Sequence, residues 1–144
     1  MWVADLQNGN YRNPVLYADY SDPDAIRVGE DYFMVASSFS NSPALPILHS
    51  KDLVNWKVIN YCLKHVPEFR YNNPIHGCGV WAPSIRYHEG TYYVCFPMPD
   101  EGIYMTTTKD PWGEWSEPVN IRPGAGWIDP CPFWDDDGNA YLVA

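Results

Sequence analysis

The feature that most constrains this chain is that it repeats itself. Asp22-Pro23-Asp24-Ala25-Ile26-Arg27 leads through a Gly-Glu-Asp turn to a strand at Tyr32. Ala82-Pro83-Ser84-Ile85-Arg86 leads through a His-Glu-Gly turn to a strand at Tyr92. Asp129-Pro130-Cys131-Pro132-Phe133-Trp134 leads through Asp135–Asn139 to a strand at Tyr141. The leading prolines stand 60 and 47 residues apart, and the tyrosines 60 and 49. A second half-unit recurs as well. Ile47–Trp56 and Ile103–Trp115 each hold a strand, a Lys-Asp turn and a Trp, followed by strands at Val58-Ile59 and Val119–Ile121. The unit is thus four short strands in two hairpins. Recurrence of such a unit at about 50 residues marks the blades of a β-propeller.

Composition supports an all-β reading. Fourteen Pro and ten Gly interrupt the chain before any long helical period develops. The short apolar runs between them, such as Tyr32–Ala36, Tyr92–Phe96 and Ala140–Ala144, are rich in aromatic and β-branched residues, which suits strands. At about 50 residues per blade, 144 residues hold two blades, at about 17–60 and 80–122, and the opening hairpin of a third at 127–144. Propellers carry about four to eight blades, so the chain is expected to be a part of one propeller domain. The net charge of −9 argues against nucleic acid and anionic membranes as partners, and no apolar run is long enough to span a bilayer. The first residues carry no signal-peptide pattern. Cys62, Cys78, Cys95 and Cys131 lack metal or redox spacing and read as free thiols. The four histidines also lack metal-ligand spacing, so no metal ligands are assigned.

The repeat also points to a site. The first strand of each propeller blade lines the central channel, so Asp22, Ala82 and Asp129, all preceding a leading Pro, should approach one mouth of it. An Asp before Pro also starts strands through an Asx-type turn, so each carboxylate has a structural reading beside a functional one. Two carboxylates converging among aromatic rings suit glycoside hydrolysis, where one group activates water and aromatic faces receive the sugar. Trp81 and Phe39, the latter placed at the end of the first aromatic strand, are the expected sugar-facing rings. Asp24 is expected to serve the turn.

The segments Tyr17–Gly29, Gly79–Arg86, Trp127–Pro130 with Phe133–Gly138, and His49–Trp56 together resemble glycoside hydrolase family 43, over about Asn13 to Ala144. The stretch from Tyr17 to Ala36 looks most like its β-xylosidase and α-L-arabinofuranosidase branch. The resemblance implies a five-bladed propeller, of which this chain covers about two and a half blades, and an inverting hydrolase acting on xylosidic or arabinofuranosidic bonds of hemicellulose-derived oligosaccharides. It implies that Asp22 is the general base and that Asp129 raises the pKa of the general acid and orients it. It also implies that Trp81 and Phe39 enclose the sugar. The family's acid is a Glu from a later blade, and none of the six glutamates here matches its motif, so the chain by itself is expected to be inactive. No cofactor is implied; some members hold calcium through a His of a later blade, which leaves calcium open for the full-length protein. Two other readings stand beside this one: a non-catalytic carbohydrate-binding propeller, and a half-propeller completed by a second chain. Polysaccharide-derived substrates favour a periplasmic or secreted location over the cytoplasm.

Overall fold

The computed structural model describes residues 2–144. Its regular structure is antiparallel β throughout, apart from one 3₁₀ turn at Phe69–Asn72. The first sheet is a meander of β1 (Asp24–Val28), β2 (Asp31–Val35), β3 (Ala44–Ser50) and β4 (Lys57–Leu63). The second repeats it with β5 (Ser84–His88), β6 (Thr91–Met98), β7 (Gly102–Thr108) and β8 (Val119–Pro123). A hairpin of β9 (Cys131–Trp134) and β10 (Ala140–Val143) follows.

The two sheets share their irregularities as well as their order. The register between third and fourth strands shifts at Ile47/Leu48 in one sheet and at Ile103/Tyr104 in the other, the positions that the half-unit repeat aligns. The first hairpins close through two-residue turns. Gly29 takes φ 63°, and Glu89-Gly90 takes φ 46° and 77°, the positive values such hairpins require. The turns after β3 and β7 are built alike. The Ser50 and Thr108 hydroxyls accept from the backbone of Asp52 and Asp110, and the Asp52 carboxylate caps Val54 and Asn55.

Sequence explains which strands are buried. β1 alternates half-buried and exposed positions, whereas β3 and β6 are buried at most positions and carry near-continuous apolar runs. One core joins the sheets, with Phe33, Leu45, Ile47, Val80, Ile85, Val94 and Phe96 buried within it. Burying each such side chain contributes about 1.5–3 kcal/mol. No strand ladder links the sheets to one another, so packing, side-chain hydrogen bonds and a few backbone bonds between the connecting loops hold them side by side. All four cysteines are free, and Cys62 and Cys95 are buried. Burial pushes the Cys95 thiol up to about 12 and raises that of Cys62 as well.

Candidate active site

The first strand of each unit, β1, β5 and β9, begins just after a leading proline. Asp22 and Asp129 therefore sit at the same end of β1 and β9, and Ala82 at that end of β5. These ends meet in a cleft of about 290 Å³ lined by Asp22, Phe39, Trp81, Ala82, Ile128 and Asp129. The cleft brings together the four residues singled out from sequence, as two carboxylates among four apolar side chains.

The backbone of this cleft is unusual. Asp22, Phe39 and Asp129 take φ of 49°, 50° and 52°. They are three of the eight non-glycine residues with positive φ among those described. Such conformations cost roughly 1–3 kcal/mol each and cluster where function over-determines the structure. Asp tolerates this region better than most residues, which accounts for two of the three positions.

The side chains are held by short-range contacts. The Asp22 carboxylate accepts from the Ser37 hydroxyl at 2.8 Å, and the Ser37 N–H donates to the Ser21 carbonyl. Among the described residues no cationic side chain pairs with Asp22 or Asp129. The Trp81 indole N–H donates to the Gly77 carbonyl at 2.9 Å and its backbone N–H to Pro97 at 3.1 Å, fixing a ring that is 36% exposed.

Phe39 differs from expectation. It stands four residues beyond the end of β2, in the loop before β3, rather than at the end of the strand. There it forms an isolated antiparallel bridge with Val80, next to Trp81. The approach depends on Gly79, since a Cβ at that position would lie 2.4 Å from the Phe39 carbonyl oxygen. Gly79, Ser37 and Ile128 are site residues that sequence reasoning missed. Gly79 lay within a motif already quoted, but its partner 40 residues earlier is visible only in three dimensions. Asp24 is also corrected. Its carboxylate leaves the turn and reaches β5, accepting from the Ile85 N–H at 2.8 Å and from Arg86 at 2.5 Å.

Other polar groups lie elsewhere. None of the six glutamates lines the cleft. Glu68 accepts from the Tyr104 hydroxyl, and Glu101 pairs with Arg70. A groove of about 710 Å³ runs between β4 and the β7–β8 connection, and its acids Glu114 and Glu117 are solvent-exposed. Among the described residues no three His, Cys, Asp or Glu side chains converge as a metal site.

A family model for glycosyl hydrolases family 43 matches residues 11–144. The chain is 40% identical over 155 residues to a non-reducing end α-L-arabinofuranosidase of Bacteroides ovatus, covering 100% of this chain and 28% of that one. It is 39% identical over 147 residues to a β-xylosidase of Formosa agariphila, covering 97% of this chain and 25% of that one. The crystal structure of the GH43 protein BlXynB from Bacillus licheniformis matches with a TM-score of 0.82 at 39% identity, over 92% of this chain and 28% of that one. The chain spans about a quarter of the length of the curated relatives it matches.

Proposed function

The chain belongs to glycosyl hydrolases family 43, and from that premise we propose that it supplies the general-base half of an inverting glycosidase site. The substrate class is hemicellulose-derived oligosaccharide, cleaved at xylosidic or arabinofuranosidic bonds. The ring has five blades; these residues form two of them and the first hairpin of a third, the N-terminal part of one catalytic domain. The observation that carries the reading is the shared cleft of Asp22, Asp129, Trp81 and Phe39.

The chemistry follows from that grouping. Asp22, its orientation fixed by Ser37, takes a proton from water as the water's oxygen attacks the anomeric carbon. The glycosidic oxygen leaves with a proton from a carboxylic acid that lies outside these 144 residues, about 6.5–9.5 Å from the base so that water fits between. Asp129, a second carboxylate in the same cleft, disfavours ionisation of that acid and keeps its proton in place. Trp81 and Phe39 offer flat apolar surfaces to the sugar ring. Without the acid, the chain alone lacks the leaving-group half of the reaction, a deficit of about 10²–10⁴-fold.

The test is turnover by the whole protein on nitrophenyl β-D-xyloside and nitrophenyl α-L-arabinofuranoside. One of the two is hydrolysed, and Asp22→Asn lowers kcat by about 10²–10⁴-fold. Intact protein that binds these sugars and hydrolyses neither contradicts the proposal.

A further inference from the structure

The inner strands β1, β5 and β9 belong to three separate sheets, with no ladder between them. Among the described residues, the hydrogen bonds that cross from β1 to β5 and from β5 to β9 all involve Asp24 or Arg86. Arg86 Nη1 donates to the Asp24 carboxylate at 2.5 Å and to its neighbour Ile85's carbonyl at 2.6 Å, while Nη2 donates to Cys131 Sγ at 2.9 Å. The thiol donates in turn to the Pro132 carbonyl at 3.8 Å. One planar guanidinium thus holds the strand before it and the strand after it, and its rigid fork fixes the relation between the two contacts. The clamp is partly withdrawn from water, with the Arg86 side chain 33% and the Asp24 side chain 31% exposed.

Where the clamp grips is the telling feature. Asp24 follows Asp22 by two residues with Pro23 between them, and Cys131 follows Asp129 by two with Pro130 between them. Proline fixes φ near −65°, so each link between clamp and carboxylate is short and stiff. A shift of Asp24 or Cys131 is passed on to Asp22 or Asp129 with little slack.

We propose that Arg86 is a positioning residue that sets the spacing of Asp22 and Asp129 by clamping Asp24 and Cys131, the residues that follow each of them across a proline. The proposal rests on the reading of Asp22 and Asp129 given above. Arg86 need not touch substrate; it acts through the strands. A lysine cannot replace it, because a single ammonium does not present two coplanar donors.

The test uses the whole protein on the glycoside it hydrolyses. Arg86→Lys lowers kcat by about 10–10²-fold with KM within about twofold, as misplacement by about 1 Å does. Cys131→Ala, a small change that keeps the fold, lowers kcat by a smaller factor. Cys131→Ser, which restores an acceptor for Nη2, returns kcat to within about twofold of wild type, and Arg86→Lys combined with Cys131→Ala loses no more than Arg86→Lys alone, since both remove one contact. Near-UV circular dichroism and melting temperature report the folded fraction. Wild-type kcat in both single variants, or losses fully accounted for by unfolded protein, overturns the clamp. If Asp22→Asn keeps full activity, or the wild type has none, the catalytic reading fails and the clamp falls with it. A strong Asp22→Asn loss beside an unaffected Arg86→Lys overturns the clamp alone.

Discussion

The sheets are built differently at the cleft and in the aromatic cluster packed between them. At the cleft, Asp22 and Asp129 are exposed, carry positive φ and rest on single polar contacts or none. In that cluster, built from β2, β3, β6 and the turn after β7, aromatic rings close ranks. Phe33 is 1% exposed and meets His49, Tyr92 and Trp112 at ring separations of 5.4, 5.3 and 5.3 Å. Beside them Asp31 accepts from His49 at 2.6 Å and pairs with Lys51 at 2.7 Å. The cluster is satisfied and packed, and the cleft stores strain and leaves its carboxylates without a paired cation among the described residues. This difference separates stability from chemistry within the same sheets.

Mutations should divide along the same line. At the cleft, Asp129→Asn lowers kcat by about 10²-fold or more while stability stays within about 0.5 kcal/mol, because the residue is exposed. Kinetics and thermal melts of the whole protein check the pair, and a melt that collapses with kcat erases the contrast. In the aromatic cluster, Phe33→Ala costs about 3–5 kcal/mol of stability through the cavity it leaves, while protein that remains folded keeps its kcat. Denaturant titration reads the first effect and active-site titration the second.

The smallest effect sharpens the comparison by pH. The hydrogen bond from Lys51, then that from His49, holds the Asp31 carboxyl below its ordinary range. A carboxyl whose folded pKa is lowered contributes stability at pH values above the unfolded value of about 3.9, and that contribution disappears as pH falls through the folded value. Lys51→Met therefore lowers the melting temperature slightly at neutral pH, and the gap from wild type closes on acidification. Activity is unchanged at either pH, since Asp31 lies at the end away from the cleft. A gap that widens on acidification contradicts this assignment.

Much of the fold was legible because its signals are local. The turn Glu89-Gly90, the aromatic run after it and the Lys-Asp turn after β7 each specify their own few residues, so β2 begins one residue before Tyr32 and β6 begins one residue before Tyr92. The convergence of Asp22 and Asp129 was legible for a related reason: a repeat places matched residues at matched heights. What escaped was contact between units. Phe39 is fixed by Val80 through Gly79, and Asp24 by Ile85 and Arg86, partners 41 to 62 residues away whose meeting depends on how the sheets pack. Nothing in the neighbourhood of Asp24 distinguishes a turn residue from a strut between sheets.

The central claim is that Asp22 activates a water molecule rather than attacking the sugar itself. Proton NMR of the first sugar released by the whole protein, recorded before mutarotation, tests it most directly. The account predicts inversion, with α-xylose from a β-xyloside or β-arabinofuranose from an α-arabinofuranoside. A first product that retains the configuration of the substrate would contradict it.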